Sequence, residues 1–423
     1  MIKTVYPHLG ETVWKGTTSQ GLSVRVVPKP GFSKTYAFLA VNYGSMDSRF
    51  SVGHSFYETP QGVAHYLEHK MFDMPDGNAM QMFSEIGGSP NAFTSYDITA
   101  YYVECSDHAE ENIRLLLKFV NTPWFTADSV EKERGIIAQE IRMYEDSPDS
   151  CVSDHLYEAA FRFHPIRNPI AGTVESIAQI TEQTLGDCYR NFYTPDNMMF
   201  CVVGDVEPEM VFDLAEEAVT RGSSTPQRDY GPAEQMTPFQ KQIQARMEVS
   251  MPSFAIGFKT EPACYGPDSM RQEFLGDLAA ELLMGESSPL YSRMYEANLI
   301  DSSFDCGYEG LKGASLLTAS GDGENPEAVL HTILDEAEKI RGKGLDAELF
   351  EQLKRSTLGR RIRGLDSFES ICYRVCAYYF EGVDYFTFPD LFRQITLDQV
   401  AEFLDRTVQE ERAVLSVIWP KEP

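Results

Sequence analysis

Two stretches of this chain can be laid on one another without a gap. A helical pattern after Ile180-Thr181, followed by the apolar run 198–203, matches a helical pattern after Ile395-Thr396, followed by the run 413–418. The offset is constant, 395 − 180 = 215 and 413 − 198 = 215. In a chain of 423 residues a period near half the length means a duplicated domain and not a solenoid. The fold is thereby confined: both halves must be built from the same order of elements.

The elements themselves alternate. Short apolar or alternating runs predict strands at 22–27, 35–43, 91–95, 99–104 and 198–203 in the first half. The second half offers strands at 243–249, 254–258, 303–308, 315–319 and 413–418. Helical periodicity predicts helices at 76–86, 109–120, 128–144, 152–163, 181–192 and 208–220, then at 269–284, 288–297 and over much of 327–404. A Gly- and Ser-containing loop is expected at 44–59. The fold class is therefore α+β: two related domains, each a mostly antiparallel sheet with helices packed on one face. The stretch 222–241 contains Gly-Ser-Ser-Thr-Pro, Gly-Pro and Thr-Pro and reads as the linker between domains 1–221 and 242–423.

Charge narrows the partners. With 36 Lys and Arg against 64 Asp and Glu, the net charge of −28 argues against nucleic acid and against anionic membranes. No apolar run is long enough to span a bilayer, and the first residues lack the pattern of a secretory signal. The eight cysteines are scattered, with no paired spacing that would signal a disulfide framework or a zinc knuckle. The expected compartment is the cytoplasm.

Chemistry concentrates at His65, Glu68 and His69, in the order His-x-x-Glu-His. Residues three and four apart share a helix face, so both imidazoles and the carboxylate project to one side. Two neutral imidazoles at that spacing can grip one zinc ion, and the Glu can act on a water beside it. The order is the reverse of His-Glu-x-x-His and is the inverzincin signature. Val63, Ala64, Leu67, Met71 and Phe72 make the remainder of the helix apolar.

A catalytic zinc usually has three protein ligands and one open position. His54, His108, His155, His164 and many acids are candidates for the third. The helix at 128–144 offers the better one: Glu133 and Glu140 are seven apart and share a face, and Ile137, Ile141 and Met143 would bury Glu140. A buried carboxylate needs a cation or a hydrogen-bond partner. Glu140 is expected as the third ligand and Glu133 as the carboxylate that orients one histidine. The second half holds a single histidine, His331, and cannot carry a second site of this kind.

With these residues the chain resembles the pitrilysin or insulinase family of zinc peptidases, which includes mitochondrial processing peptidase. The matching segments are His65-Tyr66-Leu67-Glu68-His69, Asn91-Ala92-Phe93-Thr94-Ser95 with Thr99 and Tyr101-Tyr102, Glu133-Arg134 with Glu140, and Tyr193-Thr194-Pro195-Asp196-Asn197-Met198 leading to Val203-Gly204-Asp205. The likeness is greatest to short bacterial members, in which one catalytic and one inactive domain form half of a clamshell. It implies one Zn2+ per chain on His65, His69 and Glu140, with Glu68 as general base. It also implies that Glu133 supports the catalytic site. Asn91, Ala92 and Phe93 match an edge strand that pairs with the substrate backbone; such an edge offers unpaired N–H and C=O groups to an extended peptide. The implied function is a zinc-dependent endopeptidase acting on small unfolded peptides. The competing reading is a non-catalytic peptide-binding or scaffold subunit that keeps zinc for structure. A structural site needs no base, so the presence of Glu68 favours the enzyme.

One departure bears on partners. Members of the family that act alone carry, in the second half, an Arg and a Tyr seven residues later that hold the substrate carbonyl and the oxyanion. Here the matching positions fall near Ala297 or Asn298 and near Phe304, and Arg293 matches an earlier, structural position. Phe cannot donate a hydrogen bond, and losing one such donor commonly costs about a hundredfold or more in rate. The expected assembly is a heterodimer with a homologous subunit that lacks zinc and supplies Arg and Tyr, or else a homodimer.

Overall fold

The computed structural model describes residues 1–218, 222–262 and 265–421. The chain opens with β1 (Ile2–Tyr6), β2 (Glu11–Thr17), β3 (Ser23–Pro28) and β4 (Thr35–Val41), then a hairpin of β5 (Arg49–Val52) and β6 (Ser55–Glu58). Helix α1 (Val63–Met71) carries the histidine motif. A two-stranded ribbon, β7 (Asp73–Met74) and β8 (Gly77–Asn78), leads into α2 (Ala79–Glu85). Next come β9 (Ser89–Thr94), β10 (Thr99–Cys105), α3 (Ala109–Val120), α4 (Ala127–Glu145) and α5 (Pro148–Ala160). The first half ends with α6 (Val174–Ile177), α7 (Glu182–Phe192), β11 (Met198–Gly204) and α8 (Pro208–Ala218).

After the short strand β12 (Gln227–Arg228), the second half runs β13 (Gln242–Met247), β14 (Ser253–Lys259), α9 (Pro267–Met284), α10 (Pro289–Glu296), β15 (Asp305–Leu311) and β16 (Ala314–Asp322). It closes with α11 (Pro326–Lys343), α12 (Ala347–Arg363), α13 (Phe368–Phe380), α14 (Phe388–Arg393), α15 (Leu397–Thr407) and β17 (Ala413–Pro420).

The first sheet has the order β1-β2-β3-β11-β4-β10-β9, and the second β13-β17-β14-β16-β15. In each, a late strand inserts centrally. β11 runs parallel to β3 and antiparallel to β4, and β17 runs parallel to β13 and antiparallel to β14. The five strands β3-β11-β4-β10-β9 therefore have the topology of the whole second sheet. The chain is α+β throughout, two sheets packed with helices.

The packing adds something the sequence does not announce. One face of the first sheet is covered by its own helices: Leu39, Val41, Tyr101 and Val103 pack with Leu67, Leu116 and Leu185. The opposite face, with Phe38, Ala40 and Cys201, packs against residues of the second half that include Ile371, Cys372 and Val375 of α13. Reciprocally, Val152, Leu156 and Ala159 of α5 pack on Ala255, Leu316 and Val414 of the second sheet. Each half thus lends a helix to the sheet of the other.

Three expectations are revised. Strands β1 and β2 precede the first predicted strand. They lie at the sheet margin, where Ile2 and Val5 stay exposed and give little apolar pattern to read. The stretch 44–59 contains the β5–β6 hairpin, turned at Gly53 with φ 60° and held by the stack of Phe50 on Tyr57. The second helix starts at Ala79, three residues late, because Asn78 caps it by accepting the Met80 amide. The predicted end of the helix at 208–220 lies outside the described residues. The stretch 222–241 is ordered along the first half: β12 pairs with β5, and Arg228 and Tyr230 both donate to the buried Asp47 at 2.9 Å.

Candidate metal centre

Local sequence places the motif helix firmly. Gly62 sits at its N-cap in the left-handed region, φ 84°, and a Cβ there would lie 2.3 Å from the Ala171 carbonyl oxygen. Only glycine allows that approach. The Tyr66 hydroxyl donates to the Val130 carbonyl, and the fully buried Lys70 ammonium pairs with Asp73 and reaches the Ser129 carbonyl at 3.3 Å. Both contacts clamp α1 to α4.

That clamp brings Glu133 and Glu140 over the histidines. Glu140 lies 3.6 Å from His65 Nε2 through Oε1 and 3.3 Å from His69 Nε2 through Oε2. His69 Nδ1 donates to Glu133 Oε1 at 3.0 Å, which leaves Nε2 facing Glu140. The Tyr144 hydroxyl, one turn beyond Glu140, donates to Glu140 Oε1 at 2.9 Å. Glu68 is 7% exposed, and its Oε2 accepts from Thr94 Oγ1 at 2.7 Å.

The electrostatics follow from this crowding. Hydrogen bonds with His65 and then His69 hold the Glu140 carboxyl well below the usual range. Burial opposes charge on His69, but its bonds to Glu133 and Glu140 outweigh burial and push the imidazole up to about 10. Burial raises the Glu68 carboxyl against the opposing pull of His65, Thr94 and His69. The group is a concentrated acceptor set with a shared proton where a cation fits.

The donors suit a metal ion. Ligand atoms of His65, His69 and Glu140 all lie within 4.8 Å of one another, the one such group among the described residues. Two ligands each about 2.0–2.1 Å from a tetrahedral zinc lie roughly 3.4 Å apart, close to the 3.3 and 3.6 Å seen here. Two imidazoles and one carboxylate leave a fourth position open, the pattern of catalytic rather than structural sites.

The remaining histidines stand elsewhere. His54 is in the β5–β6 turn, His108 is exposed before α3, and His164 bonds the Lys312 carbonyl at 2.8 Å. His155 lines the same cavity but is not in the ligand group. The cavity holds about 700 Å³ and is bounded by α1, by Asn91, Ala92, Phe93 and Thr94 of β9, by α4 and by α5. β9 is the outer strand of its sheet and, among the described residues, pairs with β10 alone. Every lining residue falls between His65 and Thr173. Phe304 is buried against Tyr291 and Phe254, Asn298 sits at φ 54°, and Arg293 pairs with Glu336. None of the three reaches the cavity.

Sequence reasoning missed the contacts of Thr94 and Tyr144. Tyr144 was open to discovery, because it lies four residues beyond Glu140 on the same helix face. Thr94 carried no spacing signal.

Comparison with known proteins completes the picture. Residues 50–174 match the family described as insulinase, peptidase family M16, and residues 179–357 match the peptidase M16 inactive domain. A Bacillus subtilis protein named "Uncharacterized zinc protease YmfH" is 36% identical over the full length of both chains. The chain belongs to peptidase family M16. Its structure is similar to that of an M16-like peptidase from Alicyclobacillus acidocaldarius, with a TM-score of 0.94 and 29% identity over 99% of this chain and all of that one. A plant relative from Arabidopsis thaliana, named "Probable mitochondrial-processing peptidase subunit beta", is 30% identical over 170 residues, 38% of this chain and 32% of its own. The M16 fold accounts for the two-domain architecture. Among the described residues no helix is long and apolar enough to cross a membrane.

Proposed function

We propose that this M16 chain is the zinc-bearing subunit of a cytoplasmic metalloendopeptidase that hydrolyses small unfolded peptides. The observation that carries this reading is the meeting of the His65, His69 and Glu140 donors with the buried Glu68 beside a free sheet edge. His65, His69 and Glu140 would hold one zinc ion, which supplies a Lewis acid that acidifies water and polarises a carbonyl. Glu133 fixes the tautomer of His69. The peptide adds to β9 as a further strand through the backbone of Asn91, Ala92 and Phe93. Glu68 takes a proton from the attacking water and hands it to the leaving amine.

The oxyanion donors come from a related subunit. Among the described residues the cavity has no lining residue beyond Thr173, and Asn298 and Phe304, near the positions that would carry Arg and Tyr, do not line it. The domains divide at 222–241, with catalysis in 1–221.

The test is Glu68→Gln in the purified chain, alone and with whatever related chain it captures. Zinc content stays at one per chain while peptide hydrolysis is lost. Hydrolysis that persists removes Glu68 as base. Zinc retention with no hydrolysis by the wild-type complex would instead assign a scaffold role.

A further inference from the structure

The Thr94 hydroxyl donates to the Glu68 carboxylate at 2.7 Å. A hydroxyl has one proton to donate, and the structure decides where each goes. Thr99 Oγ1, fully buried on β10, donates to the Tyr43 carbonyl at 2.9 Å and lies 3.5 Å from Thr94 Oγ1. The proton of Thr99 is thus committed to Tyr43. Thr94 Oγ1 then has two acceptors in reach, Thr99 at 3.5 Å and Glu68 Oε2 at 2.7 Å. The short, charge-assisted contact wins.

We infer that Thr94 is a positioning residue that pins Oε2 of Glu68, leaving Oε1 as the oxygen that works on the substrate side. The inference rests on the proposed role of Glu68 and adds the device that aims it. It also links two functions. Thr94 is the last residue of β9, directly after Asn91, Ala92 and Phe93, and its cross-strand partner is Thr99. The strand that accepts the peptide is the strand that orients the base. Glu68 has three rotatable side-chain bonds, and among the described residues the Thr94 hydroxyl is the hydrogen-bond donor that fixes the last one.

Thr94→Val keeps shape and strand propensity and removes the hydroxyl; Thr94→Ser keeps the hydroxyl. Two measurements are needed. The first is the infrared band of the Glu68 carboxylate in the zinc-loaded chain, isolated by subtracting the spectrum of Glu68→Gln. It shifts in Thr94→Val and stays in place in Thr94→Ser, and it requires no turnover. The second is peptide hydrolysis by the complete complex. Thr94→Val lowers kcat about tenfold to a hundredfold, as expected for loss of one hydrogen bond to a charged group. KM and zinc content stay within about twofold of wild type, and Thr94→Ser restores kcat. An unmoved band in Thr94→Val overturns the inference. So does an unchanged kcat, a rise in KM alone, or a Thr94→Ser variant as impaired as Thr94→Val. If the wild-type complex shows no hydrolysis, the band decides alone. Hydrolysis by Glu68→Gln would sink the proposed function by a separate reading.

Discussion

Glu234 lies in the stretch that reads as a linker, yet it fastens the two halves together. Its carboxylate accepts from the backbone amides of Arg162 at 3.1 Å, Phe163 at 2.5 Å and His164 at 2.8 Å. It also faces Lys259 of β14 at 3.5 Å, and the Lys259 side chain is only 3% exposed. The Lys259 ammonium also donates to the Ala160 carbonyl at 2.8 Å and sits over the Phe161 ring. Removing one member of a buried ion pair costs about 3–5 kcal/mol, because the other charge stays buried without compensation. Glu234→Gln keeps an oxygen for the Phe163 and His164 amides and loses the acceptor of the Arg162 amide and the partner charge of Lys259, so a loss of about 3 kcal/mol is expected. That is a large share of a typical total of about 5–15 kcal/mol. The assay is a double-mutant cycle in urea. In the Lys259→Met background the same change should cost only about 1 kcal/mol, since no charge is left stranded. Acid gives a second check. Burial pushes the Glu234 carboxyl up, but the three amides and Lys259 outweigh it and hold it below the usual range. A carboxyl lowered on folding adds stability above its unfolded pKa, and that stability is lost as pH falls through the folded value. The difference between wild type and Glu234→Gln therefore shrinks below about pH 4. A loss under about 1 kcal/mol, or an equal loss in the Lys259→Met background, would refute the argument.

Other changes test the metal centre. Glu140→Gln should lower zinc content sharply in metal analysis, since it removes the one carboxylate among the donors. Glu133→Gln should weaken zinc binding by about tenfold to a hundredfold in competition with a chelator, because His69 loses the acceptor that fixes its ring. Gly62→Ala should cost more than about 2 kcal/mol in urea unfolding, from left-handed strain together with a clash against the Ala171 carbonyl.

The parts legible in sequence are those governed by local period. Helix α3 begins and ends where its periodicity places it, at Ala109 and Val120. The repeat offset of 215 residues (397 − 182) recurs in the observed starts of α7 and α15. The grouping of His65, His69 and Glu140 was readable because the His65–His69 and Glu133–Glu140 spacings each lie within a single helix; the apolar flank was only partly right, since Ile137 and Ile141 are buried but Met143 faces solvent at 60% exposure and Glu140 is only half-buried. What was not readable depends on which surfaces meet. The stripe Val152, Leu156, Ala159 says that α5 packs, but not that it packs on the other half's sheet. The β5–β6 hairpin buries Phe50 but leaves Phe56 57% exposed, so its pattern is half lost. Thr94 meets Glu68 across 26 residues through sheet geometry, which no spacing rule reports.

The exchanged helix gives the second half a part in shaping the cavity, although every lining residue among the described ones lies in the first half. Cys151, Asp154, His155 and Glu158 of α5 line the cavity that holds the His65, His69 and Glu140 group, at the spacing of one helix face. Val152, Leu156, Ala159 and Ala160, on another face of the same helix, pack against the second sheet. One wall of the cavity is therefore anchored by the domain that lacks the metal residues. Loss of that domain would strip α5 of its apolar support, although α1 and α4 would still be clamped by Tyr66 and Lys70. The His65, His69 and Glu140 group depends on the first half, and the shape of the cavity beside it depends on both. The second half thus shapes the cavity by packing, and its sheet, the counterpart of the first, is what α5 rests on.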